Sequence, residues 1–131
     1  MQADKSRKIL IIEDEEELAF GLAIFLKSRG YSVVIANDSL HGISLSHKED
    51  VDFVILDLGL PAGGGLFVLE NLKRSVDTIN IPVVIVTASQ DQEAQKKAFK
   101  LGIEAYLQKP FEPEDILSYI EKAIGKNNPS F

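Results

Sequence analysis

Five short apolar runs divide the chain: Ile9–Ile12, Val33–Ala36, Phe53–Leu56, Val83–Val86 and Ala105–Leu107. Four are rich in Val and Ile, and all are continuous instead of alternating with polar residues. That pattern predicts strands buried on both faces of a parallel sheet. A segment with helical periodicity follows each run. The first is expected from Glu15 to Arg29, with Leu18, Leu22, Phe25 and Leu26 as its inner stripe and Gly30 as its stop. The second, shorter and weaker, spans Ser39 to His47. The third spans Leu66 to Arg74, with Leu66, Leu69 and Leu72 inward. The fourth opens on Ser89-Gln90-Asp91-Gln92, read as a capping box, and ends at Gly102. Its inner face, Ala94, Ala98 and Leu101, is thin. The fifth starts at Pro113, a good first helical residue, and is lined by Ile116, Leu117, Ile120 and Ile124 before Gly125.

The order is (βα) five times. Parallel strands require crossovers, crossovers are right-handed, and helices then cover both sheet faces. The expected fold class is therefore α/β, a three-layer α/β/α domain with a five-stranded parallel sheet. Its expected extent is residues 7–125, with residues 1–6 and 126–131 as polar termini, the latter fraying.

At 131 residues the chain fits one domain, and no second domain or linker is evident. The absence of cysteine excludes disulfides, thiolate metal sites and a cysteine nucleophile. A net charge of −6 argues against nucleic-acid binding through a basic surface. No apolar run approaches the roughly 18 residues of a membrane span. The polar start, Met1 to Lys8, carries no signal-peptide pattern, so the cytosol is the expected location.

In open parallel sheets, ligands bind beyond the carboxyl ends of the strands. Glu13 and Asp14 follow the first strand, Asp57 the third, Thr87 closes the fourth, and Lys109-Pro110 follows the fifth. Each has an ordinary explanation. Asp14 reads equally as a helix N-cap, and Glu13 to Glu17 as an acidic first turn that complements the helix dipole. Asp57 is harder to explain away, because it stands where the core run Phe53–Leu56 gives way to the rim. Together these residues put three carboxylates, a hydroxyl and an ammonium on one rim. Clustered carboxylates raise one another's pKa values, and a hard divalent cation relieves this. All-oxygen ligands with open water positions favour Mg2+. Such a site accepts a phosphate: the cation and Lys109 neutralise phosphoryl oxygens while Asp57 attacks phosphorus.

Other motifs fail. Gly63-Gly64-Gly65 is not followed by Gly-Lys-Ser/Thr, so it is no P-loop and reads as a flexible turn. The dinucleotide fingerprint is absent from the turn after the first strand. His41 and His47 have the wrong spacing for a helical metal pair and read as surface residues.

The sequence resembles the receiver domain of two-component response regulators, of the stand-alone chemotaxis-regulator kind, over about residues 7–125. The matching pieces are Ile9 to Asp14, Asp57 with Leu60-Pro61, Gly65, Thr87-Ala88, and Tyr106 to Phe111, in order and at matching spacing. The resemblance implies a flavodoxin-like sheet in the order 2-1-3-4-5. It implies that Asp57 takes a phosphoryl group from a histidine kinase or phosphotransfer protein. Asp14, Asp57 and the backbone carbonyl of Gly59 then ligate Mg2+, and Glu13 acts through metal-bound water. Lys109 pairs with the phosphoryl group, across an expected cis bond to Pro110. Thr87 and Tyr106 are the switch pair, and Ala88 leaves the phosphoryl group accessible. Such a protein catalyses only its own phosphorylation and dephosphorylation and is not a conventional enzyme. The surface of the fourth helix, fifth strand and fifth helix is the family's usual readout face, towards a downstream protein target or a second copy. Two positions depart from the pattern: Gly64 stands where a polar residue is usual, and Gly59 lacks the side chain that often guards the phosphoryl group.

Three other classes compete. A degenerate receiver acting as a phosphorylation-independent binding module is opposed by the full set Glu13, Asp14, Asp57, Thr87 and Lys109. A flavin-binding electron carrier needs a phosphate-binding loop where Glu13-Asp14 stands. An aspartate-based phosphohydrolase usually needs a second Asp at the position of Gly59. No output domain follows the fifth helix; a stand-alone receiver and a receiver from a longer protein both fit.

Overall fold

The computed structural model describes residues 6–125, so the outermost termini lie outside the described residues. Five strands, β1 (Lys8–Ile12), β2 (Ser32–Ala36), β3 (Phe53–Asp57), β4 (Val83–Thr87) and β5 (Ala105–Gln108), alternate with α1 (Glu16–Ser28), α2 (Ser39–Lys48), α3 (Gly64–Arg74), α4 (Gln92–Leu101) and α5 (Pro113–Ile124). All neighbouring strands pair in parallel, in the order β2-β1-β3-β4-β5. Each predicted strand and helix is present within three residues of its expected ends.

Side chains alternate across a strand, so each buried strand feeds two cores. Ile9, Ile11, Phe53, Ile55, Val84 and Val86 meet Leu22 and Leu26 of α1 and Ile116 and Ile120 of α5. Leu10, Ile12, Val54, Leu56, Val83 and Ile85 meet Val68, Leu69 and Leu72 of α3 and Ala98 of α4. Helices thus cover both faces, which explains why the strand runs are continuously apolar. Among the described residues no helix is long and apolar enough to cross a membrane.

Three local expectations are corrected. Asp14 does not cap α1; the N-cap is Glu15, without a side-chain capping bond. The fourth helix is capped by Asp91, whose Oδ1 accepts from the Glu93 and Ala94 amides, while Ser89 Oγ, two residues earlier, accepts from the Asp91 amide. The glycine run is not a flexible turn. A single turn at Pro61–Gly63 leads into α3, and Gly64 and Gly65 are buried helical residues. A Cβ on Gly65 would stand 2.5 Å from Leu58 Cα and carbonyl oxygen and 2.6 Å from the Asp57 carbonyl oxygen. Glycine is required there because the helix passes against the backbone that carries Asp57.

α1 also packs differently from its predicted stripe. Ala19 and Ala23 are buried beside Leu22 and Leu26, whereas Leu18 and Phe25 are half-buried. α4 is as thin as expected, with Ala98 its one fully buried residue among those described.

Candidate phosphoacceptor site

Chain reversal places the site. From β1 the chain moves to one edge of the sheet, and from β3 onward to the other, so the carboxyl ends of β1 and β3 lie side by side with Ile12 in register with Leu56. Glu13 and Asp57 emerge there together. Backbone bonds beyond the strand ends fix them: the Glu13 amide donates to the Ala36 carbonyl at 3.0 Å, and the Leu58 amide to the Val86 carbonyl at 3.1 Å. The Asn37 side-chain amide donates to the Glu13 carbonyl at 3.1 Å. On the far side, the Lys109 amide donates to the Thr87 carbonyl at 2.8 Å, extending the β4–β5 ladder to the residue whose side chain enters the site.

The predicted set converges. Carboxylate oxygens of Glu13, Asp14 and Asp57 lie within 4.8 Å of one another. Glu13 and Asp57 are buried and Asp14 is exposed, so the cluster has a closed floor and an open side. Asp57 Oδ1 accepts from the Gly59 amide at 2.8 Å, and Asp57 Oδ2 lies 3.3 Å from Lys109 Nζ. Thr87 is fully buried, and its Oγ1 accepts from the Ser89 amide at 3.0 Å. The Lys109–Pro110 bond is cis, as expected. Tyr106 stacks on Phe99, with ring centroids 6.1 Å apart. His41 and His47 lie at the surface.

The electrostatic load falls on Glu13. Burial pushes its carboxyl up to about 7, and the Asp57 charge adds to this, against the Glu15 amide and Lys109. Burial pulls the Lys109 ammonium down, but its bonds to Glu15 and Glu13 and the Asp57 charge outweigh that, leaving it above the ordinary lysine value.

Sequence reasoning missed one participant. Glu15 Oε2 lies 2.6 Å from Lys109 Nζ, closer than Glu13 Oε1 at 2.9 Å or Asp57 Oδ2 at 3.3 Å. Its backbone amide also donates to Glu13 Oε2 at 3.1 Å. The one signal in the sequence was its place in the acidic run after β1, which helix-dipole logic accounted for.

Residues 9–121 match the response regulator receiver domain. The chain belongs to that family. Membership makes it a phosphoaccepting receiver and does not favour the degenerate alternative. The phosphate regulon transcriptional regulatory protein PhoB of Escherichia coli is 30% identical over 95% of this chain and 54% of its own length. The chain thus spans about half the length of the curated relatives it matches. A CheY-like receiver from Methanospirillum hungatei superposes with a TM-score of 0.84 at 25% identity, covering 90% of this chain and 93% of that one. A Burkholderia pseudomallei response regulator, crystallised with a phosphorylated aspartic acid, a calcium ion and citrate, superposes with a TM-score of 0.79 at 29% identity, over 88% of this chain and 66% of that one.

Proposed function

We propose that Asp57 is the phosphoacceptor of this receiver. The observation that carries the assignment is its burial at the end of β3 between a lysine and two further carboxylates. Asp57 Oδ2 faces Lys109, and Oδ1 is held by the Gly59 amide, which fixes the carboxylate plane. In the transfer, a carboxylate oxygen bonds to phosphorus as the donor's P–N bond breaks, and the leaving imidazole nitrogen keeps that electron pair. Lys109 neutralises charge on the phosphoryl oxygens. Thr87 exchanges its bond to the Ser89 amide for donation to the phosphoryl group, and Tyr106 follows towards the space Thr87 vacates.

The donor set fits a hard divalent cation. Glu13 Oε1 is buried, its close cation is Lys109 Nζ at 2.9 Å, a lysine shared with Glu15 and Asp57, and its other neighbours in the cluster are carboxylate oxygens, an all-oxygen set short of positive charge. Asp14, Asp57 and the Gly59 carbonyl would hold Mg2+, with Glu13 acting through water. A bound cation supplies the positive charge that lets an anionic carboxylate approach an anionic phosphoryl group.

The phosphodonor in this reading is a histidine kinase or phosphotransfer protein. The readout is a protein contact on the α4–β5–α5 face, and the location is cytosolic. The protein turns over no other substrate. Incubation with a small phosphodonor and magnesium, followed by intact-mass measurement, tests the assignment. One phosphoryl group is expected on wild type, none on Asp57→Asn, and little on Asp14→Ala. Unchanged labelling of Asp57→Asn would overturn the acceptor, and full labelling in EDTA would overturn the metal's part.

A further inference from the structure

The nearest partner of the Lys109 ammonium is neither the acceptor nor a buried acid, but Glu15. An ammonium has three N–H donors. Three carboxylates surround it here: Glu15 at 2.6 Å, Glu13 at 2.9 Å and Asp57 at 3.3 Å. A phosphoryl group on Asp57 brings new anionic oxygens to the same ammonium, so one of these partners has to give way.

The three are not equally free to leave. Glu13 and Asp57 side chains are 3% and 6% exposed, and Glu13 Oε2 is also bonded by the Glu15 amide. Withdrawing either from Lys109 strands a charge in a desolvated place, which is costly. The Glu15 side chain is 62% exposed. It can turn into water at little cost, because exposed ion pairs contribute little net stability. While in place it does two things to an incoming anion: it occupies the shortest contact of Lys109, and it adds a negative charge at the open side of the cluster.

We propose that Glu15 is a positioning residue that holds Lys109 in the unphosphorylated protein and yields it to the phosphoryl group on Asp57. Glu15 thereby sets a threshold for phosphorylation: it competes with the phosphoryl oxygens for one ammonium. This rests on the reading of Asp57 as acceptor. Removing the carboxylate tightens anion binding, whereas a merely structural tether would, on removal, loosen it.

Beryllofluoride, a phosphoryl mimic, serves as probe in the presence of magnesium, with affinity read by titration calorimetry. Glu15→Gln and Glu15→Ala are both expected to bind it tighter than wild type, by about threefold or more, for loss of one partly screened charge beside the anion. Glu17→Gln removes another exposed charge, from the first turn of α1, that makes no ion pair with Lys109, and is expected to change affinity less. Initial rates of labelling by a small anionic phosphodonor are expected to rise in the same order. Urea melts establish that all variants are folded. Failure of wild type to bind beryllofluoride would overturn the acceptor reading itself. With wild type binding, equal or weaker affinity in both Glu15 variants, or an equal gain in Glu17→Gln, would overturn the role of Glu15 alone.

Discussion

Phe99 of α4 and Tyr106 of β5 stack with ring planes 30° apart, and this pair is the main aromatic link between the thinnest helix and the sheet. Phe99 is about half exposed, while the Tyr106 hydroxyl is buried and accepts or donates no hydrogen bond among the described residues. Burial, helped by the Asp91 charge, pushes the phenol pKa up. An unsatisfied buried hydroxyl is a cost carried by the unphosphorylated state. Tyr106→Phe is therefore expected to be more stable than wild type by about 1 kcal/mol in urea melts. A loss of stability would mean that the hydroxyl has a partner in solution.

α4 is expected to be the most easily opened helix. It buries one alanine completely and depends on Asp91, which satisfies two amides of its first turn. Asp91→Ala should cost about 1 kcal/mol. Hydrogen exchange should quicken from Gln92 to Leu101 before it does in α1 or α3. Exchange that rises first in α3 would contradict this ranking.

Glu13 predicts an unusual pH profile for the metal-free protein. Its carboxyl is raised from an ordinary 4.5 to about 7, so between those values the folded chain binds the proton more tightly than the unfolded chain. Stability must then fall as pH rises through that window, and it levels off above it. The loss should amount to about 3 kcal/mol. Urea melts in EDTA from pH 4.5 to 8 measure it. Glu13→Gln should flatten the profile.

Two glycines are expected to respond oppositely to the same substitution. Gly21, within α1, has nothing within 4 Å of its would-be Cβ, so Gly21→Ala should stabilise by about 0.5–1 kcal/mol. Gly65→Ala drives a methyl into the Leu58 and Asp57 backbone and should cost about 3 kcal/mol or more. Because the displaced atoms carry Asp57, the proposed acceptor, phosphorylation should also slow. Thermal melts and labelling rates check both.

Most of the framework was legible in the sequence because parallel strands buried on both faces leave uninterrupted Val- and Ile-rich runs, and Gly30, Gly102 and Pro113 punctuate the helices between them. The chemistry was legible for the same reason: residues that directly follow core runs must lie on the rim. What escaped depended on packing or reach. A stripe of large residues overstated Leu18 and Phe25, since the closest approach of α1 to the sheet selects Ala19 and Ala23. Gly65 reads alike whether a turn needs its freedom or a backbone needs its missing Cβ. Glu15 meets a lysine 94 residues away, a pairing that no local pattern records.

Lys109 and Asp57 are 52 residues apart, and the lysine directly follows β5, an edge strand of the sheet. The one ammonium that faces Glu13 and Asp57 is thus supplied from the edge of the sheet, and its place depends on the pairing of β4 with β5. The charge balance of the site is in this way a property of the completed sheet, since acids from its centre and their ammonium from its edge meet only when β5 is in place.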